Sequence, residues 1–271
     1  MLHKVVQLGG KSYFWLEKTN VVSMIQEYQV SGFRVREYEE LESTNTEAER
    51  VGWSELEDKM VILTYRQTQG RGQVGNHWES EPGKNISMTV VFKPRELPAG
   101  QQFAVSMVIA LGACDFISRY VSGCSVKWPN DIYVGDRKIS GILIEHSIMG
   151  RYVGGSLCGI GVNINQEQFL SDAPNPVSLF QLLGRELPLQ EVLEELLECI
   201  GKRYEQIHRY AELENDFLRH MYRSTGIYDF EDERGIFRAS VGGIDEYGQL
   251  ILKDTDGRER VYAFKEVRYV C

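Results

Sequence analysis

Residues 127–145 read KWPNDIYVGDRKISGILIE, and this run leaves little choice of local structure. Two apolar stretches flank Gly135-Asp136, and glycine at the first central position of a two-residue loop suits a type II′ hairpin turn. The spacing predicts two antiparallel strands in which Tyr133 faces Lys138 and Asp131 faces Ser140. Alternate strand residues share a face, so Asp131 and Lys138 become diagonal neighbours. Lys127 has the same parity, although Pro129 leaves its direction open, because proline restrains Trp128 and removes a ladder donor. A carboxylate beside an ammonium reads in two ways. It is a cross-strand salt bridge, worth at most about 1 kcal/mol when exposed, or a phosphate site in which Asp holds a divalent cation and Lys neutralises oxygen charge.

Around this hairpin the chain reads as an α+β protein. FRVREYEELE, MVILTYRQ (60–67), NISMTVVFK (85–93) and RYVGGSLCGIGVNIN (151–165) read as strands. ESTNTEAERVG reads as a helix start, with Thr44 and Glu47 spaced as a capping box. QQFAVSMVIALGACDFISRYV (101–121) is apolar on most sides and should be a buried helix. Val192, Leu193, Leu196, Leu197, Ile200, Tyr204 and Ile207 recur at helical spacing along PLQEVLEELLECIGKRYEQIHRYAELENDFLRHMY. From about Ser224 short β-like runs alternate with turn signals, which predicts a small all-β unit over 224–271. Strands follow one another through short connections and helices cluster, which favours a largely antiparallel or mixed sheet over residues 33–223. Residues 1–32, with Tyr13-Phe14-Trp15 and a short helix expected around Val22–Tyr28, read as an appendage of unassigned role.

Composition narrows the function classes. The formal charge is −9 and no Lys/Arg block offsets it, so long nucleic acid is not the expected main partner. No apolar run is expected to span a membrane and no signal-peptide core is evident, so the expected location is the cytoplasm. Five cysteines, Cys114, Cys124, Cys158, Cys199 and Cys271, form no C-x-x-C pair and are read as reduced thiols.

Gly70-Arg71-Gly72-Gln73-Val74-Gly75 matches G-x-G-x-x-G. A dinucleotide fingerprint requires a helix next, but a turn-rich link into a strand follows. The P-loop also fails, because Asn76 and His77 stand where Lys and Ser/Thr belong, and the kinase motifs are missing. Three glycines still let backbone N–H groups approach a ligand. Arg71 can fork onto carboxylate or phosphate, and Trp78 offers a flat face for a base or sugar. A plain mobile hairpin loop is the competing reading.

The order of segments is more specific than any one of them. Glu42-Ser43-Thr44-Asn45, then Gln67-x-x-Gly70-Arg71-Gly72-x-x-Gly75-x-x-Trp78, then Lys127-Trp128-Pro129-Asn130-Asp131, then Arg137-Lys138-Ile139-Ser140-Gly141-Ile142-Leu143-Ile144-Glu145, then Gly159-Ile160-Gly161-Val162-Asn163-Ile164-Asn165 resembles the biotin protein ligase family over about residues 35–270. The resemblance implies a catalytic domain like that of class II aminoacyl-tRNA synthetases, followed by an SH3-like β-barrel. It also implies a reaction in which biotin and Mg-ATP give biotinyl-5′-AMP, which then acylates one lysine of a biotin carboxyl carrier domain.

The implied roles fall on matching positions. Ser43, Thr44, Asn45 and Gln67 would line the biotin site. Ser43, Thr44 and Gln67 would meet the polar ureido head, which needs both donors and acceptors. Gly70, Arg71, Gly72 and Gln73 would wrap the biotin carboxyl and the phosphate, with Gly141 beside them. Gly75, Trp78, Lys127, Asn130 and Asn163 would surround ATP, and Asp131 would hold Mg2+. Lys138 and Arg71 would be the catalytic cations, placed where charge builds as the carboxylate attacks and pyrophosphate leaves.

Two departures stand out. The family loop usually carries a second arginine where this chain has Gln73, and residues 1–32 are too short for the winged helix of family members that double as repressors, so no operator binding is expected. A lipoate or octanoate ligase of the same superfamily and a non-enzymatic adenylate-binding regulator are the alternatives. A homodimer and the identity of the acceptor carboxylase stay open.

Overall fold

The computed structural model describes residues 5–8, 11–14, 23–73, 77–171 and 173–270, with side chains from residue 23 onward. In chain order the elements begin with β1 (Val5–Leu8), β2 (Lys11–Phe14), β3 (Met24–Val30), β4 (Phe33–Tyr38), α1 (Thr44–Val51), β5 (Met60–Thr64), β6 (Gly70–Arg71), β7 (His77–Trp78) and β8 (Ile86–Phe92). A 3-10 turn then leads into α2 (Phe103–Ile117), followed by β9 (Cys124–Lys127), β10 (Asp131–Val134), β11 (Arg137–Met149) and β12 (Tyr152–Val162). The rest comprises α3 (Leu179–Leu183), α4 (Leu189–Tyr204), α5 (Tyr210–His220), β13 (Tyr228–Asp232), β14 (Gly235–Ile244), β15 (Leu250–Asp254), β16 (Glu259–Tyr262) and β17 (Arg268–Tyr269).

Eight strands form one sheet in the order β3-β4-β5-β8-β12-β11-β10-β9. The β4–β5 pair is parallel, with α1 as its crossover, and the other pairings in this sheet are antiparallel. The α+β class with a mixed, mostly antiparallel sheet is therefore what the chain adopts. All five residues of β5 are buried, because both faces are covered. Val61 and Leu63 enter the main core with α2 and α4, while Met60 and Ile62 join Ala48, Leu56 and Leu157 in a smaller cluster under α1. A methyl group on Gly112 of α2 would lie 2.8 Å from the Ile200 Cα of α4, so glycine lets these helices touch along their backbones.

Several expectations are corrected. Met24–Tyr28 lies in β3, paired with β4, and not in a helix. The first four residues of β3 are exposed and only Tyr28, Gln29 and Val30 alternate in burial, so the strand is held by its ladder with β4 rather than marked by an apolar period. The 35-residue helical pattern divides into α4 and α5, through tight turns in which the Ile207 and Arg209 amides bond to the Tyr204 and Gln206 carbonyls. Against the expectation that no apolar run reaches membrane length, Ala99–Ile117 does so by length and composition; here it is the core helix, with fourteen of the α2 residues buried.

The expected capping box at Thr44 and Glu47 does not form. Ser43 is the N-cap without a side-chain bond, the Thr44 amide donates to Gln67 Oε1 (3.0 Å), and Glu47 instead pairs with Arg50 (2.7 Å). A partner from outside the helix thus satisfies the first free amide.

The C-terminal five strands form a separate antiparallel sheet in the order β16-β15-β14-β13-β17, consistent with the expected SH3-like unit. Trp128 Nε1 donates to the Gly248 carbonyl (2.8 Å) in the β14–β15 turn, which ties this sheet to the Lys127–Asp131 segment. Lys127 Nζ sits among the rings of Tyr133, Tyr222 and Tyr269, 4.7, 5.8 and 5.4 Å from their centroids. Cys114 and Cys124 are free thiols with sulfurs 3.1 Å apart, and this contact together with burial raises the Cys124 pKa.

Candidate active site

The β10–β11 hairpin forms around Gly135, which has φ 58° and so takes the left-handed position that glycine adopts freely. Tyr133 pairs with Lys138 as expected, but Ser140 pairs with Ile132 and not with Asp131, because the register shifts between Ile132 and Tyr133. The bulge adds a residue on β11 and leaves the Tyr133–Lys138 face intact. Lys138 Nζ consequently reaches Asp131 Oδ2 at 2.6 Å. The two side chains are 31% and 28% exposed, so the pair is held at a cleft wall and stays reachable by a ligand.

Lys138 and Asp131 face a cleft of about 130 Å³ that is also lined by Ser43, Thr44, Asn45, Gln67, Arg71, Gly72, Gln73, Trp78 and Gly141. Eleven of the residues singled out in the sequence thus meet in one place. Gly70 stands behind the wall, where a methyl group would lie 2.4 Å from the Trp78 carbonyl oxygen; β6 and β7 pair there, Gly70 with Trp78 and Arg71 with His77. Gly75 lies outside the described residues. Asn130 lines a second cavity of about 560 Å³ with Phe103, Trp128, Tyr247 and Phe264, and Gln73 and Leu143 border both cavities. Lys127, in its tyrosine cage, lines neither.

The floor of the cleft is built from glycines. Gly141 of β11 pairs with Gly161 of β12, and methyl groups there would lie 2.7 and 2.3 Å from the Trp78 indole. Only bare backbone lets the ring lie flat across both strands. Next to it, Asn45 lies on Gly159, where a methyl group would be 2.3 Å from its Oδ1. The Gly-Ile-Gly pattern in residues 159–161, used above only as part of a resemblance, therefore carries a packing signal of its own. His77, Ile142 and Ile160 also line the cleft and were not singled out; no spacing marks them in advance.

A polar chain runs along the opposite wall. Thr89 Oγ1 contacts Thr44 Oγ1 (2.8 Å) and Asn45 Oδ1 (2.6 Å). Asn45 Nδ2 donates to Glu145 Oε2 (2.8 Å), and Arg71 Nη2 donates to Glu145 Oε1 (2.9 Å) while Nη1 donates to Glu49 Oε1 (2.9 Å). The Glu49 contact, with Glu145 adding to it, raises the Arg71 pKa, so the guanidinium is held charged at the cleft. Trp78 Nε1 at the cleft and Asn130 Oδ1 at the second cavity are buried with no partner among the described residues; Asn163 Oδ1 is likewise unpartnered, but Asn163 lines neither cavity. Buried polar atoms are normally paired, so Trp78 Nε1 and Asn130 Oδ1 mark places where a ligand's acceptor and donor would be accepted.

Among the described residues no three His, Cys, Asp or Glu side chains cluster as a metal cage. Asp131 alone still fits Mg2+, which is usually held by one or two carboxylates together with substrate phosphates and water.

Comparison with known proteins agrees with this geometry. Residues 38–163 match the model of the Biotin/lipoate A/B protein ligase family. The chain is 30% identical to the biotin–[acetyl-CoA-carboxylase] ligase of Paracoccus denitrificans, over 82% of this chain and 95% of that protein. It is 26% identical to the bifunctional ligase/repressor of Bacillus subtilis, over 87% of this chain and 74% of that protein. Its fold resembles that of the Aquifex aeolicus biotin protein ligase solved with biotin and ATP (TM-score 0.72, 22% identity, 87% of this chain and 99% of that one). The Leishmania major enzyme solved with biotinyl-5-AMP is more distant (TM-score 0.58, 19% identity, 85% and 98%). This chain belongs to the biotin protein ligase family.

Proposed function

We propose that this chain is a biotin protein ligase that activates biotin with ATP and transfers it to a lysine of a biotin carboxyl carrier domain. The observation that carries the reading is the meeting of two cations, Lys138 and Arg71, with a polar pocket at one end and a glycine-floored aromatic shelf at the other.

The polar end suits the ureido head. Gln67 Oε1 is used by the Thr44 amide, which leaves its Nε2 as a donor, and Ser43 and Thr44 add hydroxyls. Asn45 has its amide occupied within the protein and shapes the wall. In the first step a biotin carboxylate oxygen attacks the α-phosphorus of ATP, the bond from phosphorus to pyrophosphate breaks, and biotinyl-5′-AMP forms. Lys138 and Arg71 neutralise the charge that builds there, and preplaced cations in a cleft lower such a barrier by several kcal/mol at most. Lys138 uses one of its three N–H groups on Asp131 Oδ2, which leaves two for the carboxylate and phosphate and leaves Asp131 Oδ1 for Mg2+, a bound ion that would offset phosphate charge. Trp78, with Asn163 beyond Gly161, provides an indole face and an unpartnered acceptor for the adenosine. In the second step the neutral amine of the acceptor lysine attacks the acyl carbon, the bond to AMP breaks, an amide forms and the amine gives up a proton.

The experiment is incubation of the purified chain with ATP, Mg2+, biotin and a biotin carboxyl carrier domain. Mass spectrometry should find one biotinyl group on one lysine. Modification with lipoate or octanoate in place of biotin would favour the alternative ligase reading.

A further inference from the structure

Glu145 ends the GILIE segment on β11. Among the described residues it is the carboxylate that bonds two of the residues lining the cleft, Asn45 and Arg71. Its Oε2 accepts from the Asn45 amide and its Oε1 from the Arg71 guanidinium, at 2.8 and 2.9 Å. Asn45 is 3% exposed and is pressed onto Gly159, so it has no freedom to move. Arg71 is the opposite case: it sits on a two-residue strand, and its side chain is 40% exposed. An arginine on such a mount loses alignment readily, because its long side chain samples many rotamers. A carboxylate anchored on a long β-strand and fixed by a buried amide restricts that freedom.

Glu49 also binds Arg71, but it is 48% exposed and sits on the surface of α1. The two N–H edges of the guanidinium are thus unequal. Nη2 is tied to an anchored partner, and Nη1 to an exposed one that an arriving carboxylate or phosphate oxygen can replace.

We propose that Glu145 is a positioning residue for adenylate formation, holding Arg71 against Asn45 so that the acid end of the cleft keeps a fixed distance from the head-group end. This rests on the ligase reading. Glu145 touches no reacting atom; it acts through Arg71 on the rate and through Asn45 on biotin binding. The two effects are separable, because Gln at 145 keeps an oxygen for the Asn45 amide but loses the charge that holds Arg71, whereas Ala loses both.

The test is biotin-dependent ATP–pyrophosphate exchange on wild type, Glu145→Gln, Glu145→Ala and Arg71→Gln, and on the Arg71→Gln/Glu145→Gln double variant. Glu145→Gln should lower kcat about tenfold with the KM for biotin within about twofold. Glu145→Ala should in addition raise that KM about fivefold, by loss of a buried hydrogen bond. In the Arg71→Gln background, Glu145→Gln should cost less than about a further twofold, because coupled residues are non-additive. Additive losses, or a Glu145→Gln enzyme with wild-type kcat, overturn the proposal. If Glu145→Ala does not fold, the near-isosteric Gln variant and the double variant still decide it. Absence of biotin-dependent exchange by the wild type would instead refute the ligase reading and is a distinguishable result.

Discussion

Gly141 lies directly opposite Gly161 across the β11–β12 ladder, and the indole of Trp78 covers both. This pairing explains why residues far apart in the chain form one aromatic shelf. A side chain on either strand would lift the ring off the sheet.

Gly161→Ala therefore places a methyl group 2.3 Å from Trp78 Nε1, and the ring must shift. We expect the KM for ATP to rise about tenfold in pyrophosphate exchange, with a smaller change in the KM for biotin. An unchanged KM for ATP would show that the shelf does not bind the nucleotide.

Gln73 borders both cavities and is neutral where the family resemblance implies a second arginine. A neutral amide cannot ion-pair with the adenylate phosphate, and a charge-assisted bond is roughly twice as strong as a neutral one. Gln73→Arg should slow release of biotinyl-5′-AMP about tenfold, read by trapping released intermediate with a filter or spin column. Equal release rates contradict the role given to this position.

His146 contributes a pH dependence of stability. Burial lowers its pKa below the ordinary 6.5, and Nδ1 lies 2.8 Å from Ser156 Oγ. Below about pH 6.5 the unfolded chain takes up a proton that the folded chain resists. Stability should therefore fall as pH drops from 6.5 towards the depressed folded value, and this part of the dependence should be complete at neutral pH. Urea unfolding from pH 7.5 to 5 checks the slope, which Glu or Asp titration would dominate only lower down. His146→Gln should flatten this segment, and an equal slope in the variant would contradict it.

Much of the fold was legible because its signals are local. The Gly135 turn, the alternation in β10 and β11 and the apolar α2 each follow from short-range geometry. The Asp131–Lys138 contact was anticipated from strand parity even though the Asp131–Ser140 pairing was not, since a bulge changes the register without turning Lys138 away. Long-range choices were less visible. Whether Thr44 is capped by Glu47 or by Gln67 depends on where β5 ends relative to α1, which no helix signal encodes. Lys127 resembled a phosphate ligand by charge and motif, yet its neighbours are three tyrosines, two of them from beyond residue 220. Glu145 escaped notice because a glutamate in a strand looks like solvated surface until its two partners, 100 and 74 residues away in the chain, are brought to it.

The role of Lys138 can be settled by biotin-dependent ATP–pyrophosphate exchange on the wild type and Lys138→Ala side by side, with thermal melts to confirm folding. The wild type should exchange with biotin and not with lipoate, and the variant should fold but exchange at least about a hundredfold more slowly, the cost of removing one preplaced electrostatic group. A folded Lys138→Ala protein with nearly normal exchange would mean that the amine at 138 does not stabilise the reacting carboxylate and phosphate.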